Sequence, residues 1–255
     1  MARRRNPSPA VTAPHPPLHA YYPSEGDRSA WVRAIFDRTA GDYDRLERIL
    51  GLGTGSWYRR HALRSAGLKA GMTVLDVGTG TGLLACAAVG IVGDPARVTG
   101  IDPSAGMIEH ARVPAGVRLL SGTADRLPVP DGGADFLSLG YALRHIGELS
   151  AAFTEFYRVL RPGGRLCALE ITLPSGAVRR ALLKGWLNTG VPAVAALIAR
   201  RRDAGELMHY FWDTIASCVP PEAILRAMAA AGFVEVDRQV DFAIFSAYRA
   251  CKPSA

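Results

Sequence analysis

The sequence has 255 residues, of which 49% are hydrophobic and 21% are charged. This composition excludes a wholly disordered chain, and the length suits one α/β domain with additional segments. The formal net charge is +7, and part of it lies in two clusters, Arg3–Arg5 and Arg200–Arg202. The sequence has no stripe of basic residues with aromatic residues between them, so we predict no nucleic-acid partner. Four dispersed cysteines exclude a CxxC metal site and a disulfide framework, and we expect no bound metal.

The start of the chain is basic and rich in proline across residues 1–26. Such a segment buries too little apolar surface to offset its chain entropy, so we expect a disordered tail at 1–26. No apolar stretch typical of a signal peptide follows the basic start, and no run of about 18 apolar residues occurs. These features predict a cytoplasmic protein with a single folded domain over 27–255.

The first part of that domain is expected to be a helical cap over 29–66, broken at Gly41. After the cap, short apolar runs alternate with helical periodicities. Apolar strands that alternate with helices indicate a parallel sheet covered on both faces. The predicted strands are 73–77, 98–102, 117–120, 134–139 and 164–171. The predicted helices between them are 83–92, a helix that Ser104 caps and that runs to about 112, and 149–160.

The C-terminal third departs from this alternation. Residues 176–215 form an apolar and basic helical insert, in which Pro192 is expected to kink or split the helix. A helix at 221–231 precedes two strands, 234–240 and 243–250, which a short turn makes antiparallel. The predicted fold is therefore α/β: a doubly wound, Rossmann-like, seven-stranded and mostly parallel sheet with an antiparallel C-terminal hairpin.

A glycine-rich turn follows the first strand, in the order Asp76-Val-Gly78-Thr-Gly80-Thr-Gly82. Glycines allow a tight turn and close approach of a ligand, and the next helix offers free N–H groups. Asp102 ends the second strand, where a carboxylate can bind ribose hydroxyls. These features fit a nicotinamide dinucleotide as well as S-adenosylmethionine. Asp76 favours S-adenosylmethionine, because a carboxylate there can meet an ammonium group that a dinucleotide lacks.

Longer blocks carry a family resemblance: Val74-Leu-Asp-Val-Gly-Thr-Gly-Thr-Gly82, Gly100-Ile-Asp-Pro-Ser-Ala-Gly-Met107, Ala124-Asp-Arg-Leu-Pro-Val-Pro-Asp131 and Tyr157-Arg-Val-Leu-Arg-Pro-Gly-Gly164. Together they resemble class I S-adenosylmethionine-dependent methyltransferases. Two further segments resemble the ubiquinone/menaquinone-biosynthesis C-methyltransferase family: Phe36-Asp-Arg-Thr-Ala-Gly-Asp-Tyr-Asp44 and Ala142-Leu-Arg-His-Ile146. The resemblance is good over about 32–172 and loose over the C-terminal third.

The expected cofactor is thus S-adenosylmethionine. Its expected contacts lie on the turn and at the following strand ends: Asp76, Gly78, Gly80, Thr81, Gly82, Asp102, Thr123, Ala124 and Gly140. The resemblance implies that Thr123 and Ala124 lie near the adenine. The family usually has Asn or Asp where this chain has Thr123, and often Ser where it has Gly140. Backbone groups carry much of adenine recognition, so we expect binding to survive both departures.

Arg144 and His145 follow the fourth strand and are the expected catalytic residues, together with Tyr43. A quinol carbon becomes a strong nucleophile once a ring hydroxyl loses its proton, which requires a base or a cation that stabilises the phenolate. Arginine supplies such a cation, whereas histidine can be the base itself. The family often has Asn at position 145, and the resemblance implies that Tyr43 closes over the cofactor.

The insert is expected to be a lid for the methyl acceptor. Its apolar residues suit a lipophilic or phenolic small molecule, and its arginines suit contact with an anionic membrane surface, such as the inner membrane. The sequence is also compatible with a homodimer. The preferred interpretation is C-methylation of a quinol or phenol. The alternatives are an O- or N-methyltransferase that uses His145 as the base, a non-catalytic S-adenosylmethionine-binding subunit, and a nicotinamide-dependent reductase.

Overall fold

Seven strands form one sheet in the described part of the chain, residues 13–199 and 203–254 of a computed structural model. They are β1 (Val74–Val77), β2 (Val98–Asp102), β3 (Arg118–Ser121), β4 (Ala134–Gly140), β5 (Leu160–Ile171), β6 (Val234–Asp241) and β7 (Phe245–Cys251). The spatial order is β3-β2-β1-β4-β5-β7-β6. Strands β1 to β5 are parallel, whereas β7 is antiparallel to β5 and β6. The predicted fold class is confirmed.

Helices pack on both faces of the sheet and over its carboxyl edge. They are α1 (Glu25–Leu50), α2 (Gly55–Ser65), α3 (Leu83–Val92), α4 (Ala105–Glu109), α5 (Leu149–Val159), α6 (Ala177–Gly185), α7 (Val191–Ala199), α8 (Asp203–Ser217) and α9 (Pro221–Ala230). The predicted helix 83–92 coincides with α3, which begins and ends at left-handed glycines. The strand order reverses between β1 and β4, and ligands of such sheets bind beyond the strand ends at that point.

The two faces of the sheet are buried in separate apolar clusters. Leu75 and Val77 belong to the cluster that includes α5 and α9, whereas Val74 packs with Leu84 and Tyr58 on the α2–α3 side. This division follows from the alternation of side chains along a strand. Because helices cover both faces, β1 and β2 are buried throughout, as expected for central strands of a parallel sheet.

Helix α1 differs from the prediction, because it runs through Gly41 without a break. An internal glycine costs only about 1 kcal/mol relative to alanine, and packing can offset that. Here Ile35 and Leu46, on either side of Gly41, are both buried. Strand β5 also begins earlier than predicted, because Leu160 already pairs with Ala134 ahead of a register shift.

The predicted disordered tail at 1–26 is wrong for its described part. Residues 1–12 lie outside the described residues, but Tyr22 and His15 are buried. The His15 ring nitrogen Nε2 lies 2.9 Å from Nη2 of Arg28, and the hydroxyl of Tyr21 donates to Asp213 over 2.7 Å. Proline content alone underestimated the apolar surface that the tyrosines bring to this segment.

The predicted insert is helical, and it packs against α1 in a third apolar cluster. A π-helical turn, Trp186–Gly190, joins α6 to α7 and places Pro192 in the first turn of α7. The helical run is thus continuous over 177–199, and the π-helical turn stands directly before Pro192, whose missing N–H cannot continue the α-helical hydrogen bonds. Arg200–Arg202 lie outside the described residues. Within the described ranges, no helix has both the length and the apolar character needed to span a bilayer.

Candidate active site

The glycine turn after β1 adopts backbone conformations that require glycine. Gly78, Gly80 and Gly82 all have positive φ angles, of +63°, +54° and +89°. A Cβ atom on Gly82 would lie 2.2 Å from Cγ1 of Val113, and one on Gly78 would lie 2.7 Å from Cβ of Ala142. The turn therefore brings bare backbone to the carboxyl end of the sheet, as the sequence predicted.

Asp76 lies beneath this turn and braces it. One carboxylate oxygen accepts a hydrogen bond from Oγ of Ser138 over 2.6 Å, and the other accepts from Oγ1 of Thr79 over 2.7 Å. Burial raises the pKa of the Asp76 carboxyl to about 6, against the lowering effect of both hydroxyls. The predicted contact with a cofactor ammonium group gains no support from this position, because Asp76 is not among the residues that line the cavity above the turn.

Asp102 ties the turn to the end of β2. Its Oδ2 accepts from the backbone N–H of Gly80 and its Oδ1 from that of Ser104, each over 2.8 Å. The carboxylate is buried, which raises its pKa. Each oxygen has a second lone pair for a further hydrogen bond, so the carboxylate can hold the turn and still bind a diol.

A cavity of about 400 Å³ opens above the turn, within the size range of small-molecule sites. Its wall brings together most of the predicted site residues: Tyr43, Gly78, Gly80, Asp102, Thr123, Ala124, Gly140 and His145. We call it the cofactor cavity. A Cβ on Gly140 would lie 3.0 Å from Cδ2 of Leu84, so a larger residue there would displace Leu84.

Thr81 and Gly82 are not in the wall of the cofactor cavity. The hydroxyl of Thr81 instead donates to Oδ1 of Asp44 over 2.5 Å, which fastens α1 to the turn. A second carboxylate, Asp37, accepts from Oγ of Ser104 and from the N–H of Gly106. Helix α1 thus roofs the cavity, a role that the sequence analysis missed. The two aspartates, seven residues apart on one helix face, were the available signal.

Arg144 does not face the cofactor cavity but forms a buried ion pair with Glu170. Its Nη1 donates to Oε2 of Glu170 over 2.5 Å and to the carbonyl of Tyr141 over 3.0 Å. Both partners are at most 2% exposed. The guanidinium carbon lies 4.8 Å from the ring centroid of Phe211, and the buried Nε atom has no hydrogen-bond partner within the described chain.

Arg144 lines a second, smaller cavity of about 70 Å³, which lies between α1, α2 and the insert. We call it the acceptor cavity. Its wall is mainly apolar, with Leu46, Trp186, Met208 and Phe245 among the contributors. It shares two wall residues, Tyr43 and Tyr141, with the cofactor cavity. Tyr43 therefore lies where the two cavities meet, and burial raises its pKa to about 12.

Glu47 is a polar wall residue of the acceptor cavity that the sequence analysis missed. It lies one helical turn after Tyr43 and forms an ion pair with the buried Arg59. Burial raises the pKa of the Glu47 carboxyl, although the charge of Arg59 opposes that rise. The signal available in the sequence was a carboxylate on the same face of α1 as Tyr43 and Leu46.

His145 lies in the wall of the cofactor cavity, packed among three aromatic rings. Its ring centroid is 5.2 Å from that of Phe36 and 5.3 Å from that of Tyr210. Nδ1 is 3.1 Å from the hydroxyl of Tyr210, and the buried Nε2 has no partner in the described chain. Burial and then the charge of Arg144 lower the pKa of His145 well below its ordinary value, which keeps the imidazole neutral.

Comparison with known proteins shows a family match over most of the chain. The profile of the ubiE/COQ5 methyltransferase family matches residues 24–252. The ubiquinone/menaquinone biosynthesis C-methyltransferase UbiE of Shewanella woodyi is 30% identical over 225 residues, which cover 85% of this chain and 88% of that protein. The demethylmenaquinone methyltransferase of Symbiobacterium thermophilum is 29% identical and covers 86% and 90% of the two chains.

Solved structures support the same fold. A SAM-dependent methyltransferase from Thermotoga maritima matches with a TM-score of 0.59 at 22% identity, over 86% of this chain and 98% of that one. Phosphoethanolamine N-methyltransferase 2 of Haemonchus contortus, in complex with S-adenosyl-L-methionine, matches with a TM-score of 0.56 at 16% identity, over 77% and 52%. This chain belongs to the ubiE/COQ5 methyltransferase family and is an S-adenosylmethionine-dependent methyltransferase.

Proposed function

We propose that this enzyme transfers a methyl group to a ring carbon of a lipophilic quinol or related phenol. One observation carries the proposal: an apolar cavity adjoins the cofactor cavity through Tyr43 and Tyr141, and its polar wall residues include Arg144 and Glu47. Such a cavity suits an aromatic ring whose polar atoms are hydroxyls. The names of the Shewanella and Symbiobacterium relatives, which refer to quinone methylation, support the same substrate class.

The cofactor fits the larger cavity. A Cβ atom on Gly80 would meet only Sδ of Met107, at 3.9 Å, so the turn leaves open space beside its backbone. Asp102 retains lone pairs that suit ribose hydroxyls. We assign Gly78, Gly80 and Asp102 to the cofactor, together with Thr123 and Ala124 at the adenine end. When bound, S-adenosylmethionine supplies a methyl group already activated on a sulfonium, so the protein mainly aligns the nucleophile and excludes water.

Arg144 is assigned to the negative charge that develops on the acceptor. A guanidinium remains protonated in proteins and is a poor base, but it stabilises a phenolate that lies nearby. Glu170 holds the Arg144 side chain in place at the wall of the acceptor cavity. The Nε–H of Arg144 has no partner among the described residues and can donate a hydrogen bond to a ligand oxygen.

Glu47 is assigned as the base that takes the proton of the acceptor's hydroxyl. Proton transfer from a phenol is easier to a base whose pKa is raised, because the pKa difference between donor and acceptor is then smaller. Burial raises the pKa of Glu47, whereas it lowers that of His145. Glu47 also lines the acceptor cavity, whereas His145 lines the cofactor cavity.

His145 supports the second candidate, an O- or N-methyltransferase. His145 is a wall residue of the cofactor cavity, and its Nε2 has no partner among the described residues, so a neutral imidazole there can accept a proton from a small acceptor bound beside the cofactor. The two candidates place the acceptor in different cavities. They therefore predict different effects of replacing Glu47 and His145.

The lid has to open for the acceptor to bind. A cavity that holds benzene has a volume of about 150 Å³, roughly twice that of the acceptor cavity. Leu183, Trp186 and Met208, from the helices of the insert, form one side of its wall. We therefore expect these helices to move away from α1 when an aromatic ring enters.

The test is incubation of the enzyme with methyl-labelled S-adenosylmethionine and a panel of benzoquinols, naphthoquinols, catechols and amines, with and without apolar tails. We expect labelled product only from quinols or related phenols, and more of it from those with tails. Asp102→Ala, which lacks the proposed ribose contact, serves as the control for background transfer. Preferred labelling of amines or of the catechol oxygens would refute the proposal in favour of the second candidate.

A further inference from the structure

Large hydrophobic side chains are exposed around the mouth of the acceptor cavity. Seven such side chains are exposed in the described part of the chain, and five of them are more than half exposed: Leu52, Trp57, Val178, Leu182 and Phe242. These five all belong to elements that form the cavity wall. Scattered exposed apolar residues are ordinary in proteins, but a cluster around one opening marks an interaction site. We call these five residues the apolar collar.

Contacts between the wall and the collar show that the collar surrounds one opening. Leu52 follows Gly51 directly, and Trp57 precedes Tyr58 directly, and both neighbours are wall residues. The ring centroids of Trp57 and Phe242 are 6.3 Å apart. The Phe242 ring is in turn 6.5 Å from that of the wall residue Phe245. The α1–α2 loop and the β6–β7 turn thus present their apolar tips together.

Helix α6 completes the collar from the opposite side of the opening. Val178, Leu182 and Trp186 are spaced by four residues and lie along one flank of the helix. The indole N–H of Trp186 donates to the carbonyl of Leu50 over 3.2 Å, so this flank faces the α1–α2 loop. Leu183, the neighbour of Leu182, lines the cavity itself.

The charges on these elements identify the partner as anionic. Residues 48–75 and 171–199 contain no aspartate or glutamate. They expose several cations beside the collar: Arg48, Arg60, Arg179, Arg180 and Lys184. One carboxylate, Asp241, lies at the end of β6 beside the β6–β7 turn, where it accepts a hydrogen bond from Gln239. A second copy of this face would bring like charges together, so electrostatics disfavour self-association through the collar.

We propose that the collar docks on an anionic lipid bilayer, with its apolar tips inserted and its cations against the headgroups. Apolar side chains flanked by Lys and Arg bind such interfaces. The acceptor cavity then opens toward the hydrocarbon, so a lipophilic acceptor enters directly from the bilayer. This entry route rests on the proposed function, whereas the docking itself does not. The docking proposal assigns a surface of the protein to the membrane contact that was predicted from the sequence.

The test measures binding of the full chain to phosphatidylcholine vesicles with and without phosphatidylglycerol. We expect binding only to the anionic vesicles. Leu182→Ser with Phe242→Ser should weaken it at least about tenfold. Arg179→Gln with Lys184→Gln should weaken it roughly 30-fold, from about fivefold per cation. The matched control is Val234→Ser, an exposed hydrophobic residue outside the collar, which should bind like the wild type.

Three outcomes would overturn the docking proposal: no binding of the wild type to anionic vesicles, equal binding by the collar variant, or a wild-type dimer that the collar variant converts to monomer. Methyl transfer to a tail-less quinol separates the two proposals. We expect the collar variant to retain that activity and to lose transfer to a long-tailed quinol in vesicles. Loss of vesicle binding in a protein that methylates no quinol would uphold docking and refute the proposed function.

Discussion

Replacement of Glu170 by glutamine tests the buried ion pair that holds Arg144. The side chains of Arg144 and Glu170 are 1% and 2% exposed, and the carboxylate also accepts the backbone N–H of Arg144. Glutamine keeps the shape but leaves the guanidinium charge buried without a counter-ion. Breaking one side of a buried pair costs about 3–5 kcal/mol. For a chain of this length, each kcal/mol lowers Tm by about 2–4 °C, so the fall in Tm should be at least about 6 °C.

The assay is urea denaturation followed by circular dichroism, with Tm measured on the same samples. The matched control is Glu206→Gln, which breaks the exposed ion pair between Arg38 and Glu206. Exposed pairs contribute at most about 1 kcal/mol, so the control should stay close to the wild type. Equal free energies of unfolding for Glu170→Gln and Glu206→Gln would contradict this prediction, because another group would then compensate the buried charge of Arg144.

Asp102→Ala should weaken S-adenosylhomocysteine binding at least about tenfold in calorimetry, because two backbone N–H bonds and the proposed ribose contact are lost; unchanged affinity would remove Asp102 from the site. Gly82→Ala should lower both Tm and cofactor affinity, since its Cβ would overlap Val113 at a positive φ, and a wild-type Tm would contradict that strain. Glu47→Gln should lower kcat at least about tenfold. In the wild type, kcat should fall as pH falls through the raised pKa of Glu47, and Glu47→Gln should lose that acidic limb, whereas His145→Asn should retain it. The reverse pattern would identify His145 as the base.

Local chemistry explains which parts of the fold could be predicted. The glycines of the turn were recognised because the chain tolerates few other residues at positive φ. Strand β2 was predicted with its observed bounds, 98–102, because three of its five residues, Val98, Thr99 and Ile101, are β-branched and favour strands. The N-cap of α4 was predicted because Ser104 can accept a hydrogen bond from the N–H of Met107, which it does over 3.0 Å.

Long-range contacts explain what the sequence analysis missed. The hydrogen bond from Ser138 to Asp76 joins residues 62 positions apart, and the sequence analysis did not anticipate it. The acceptor cavity combines the α1–α2 region, the end of β4, the insert and the β6–β7 turn. These segments are far apart in the sequence, so no local periodicity could predict that they form one cavity. Glu47 therefore had no visible partner in the sequence, because Arg59 approaches it only after α2 folds back on α1.

The proposed function is transfer of a methyl group to a ring carbon of a quinol. The most direct measurement is carbon NMR of the product formed from ¹³C-methyl S-adenosylmethionine and a tailed 1,4-naphthoquinol that lacks a ring methyl. The proposed function predicts one labelled methyl group bonded to the ring carbon beside a hydroxyl-bearing carbon, and little product with Glu47→Gln. A labelled methoxy group, or no labelled product from the wild-type enzyme, would contradict it.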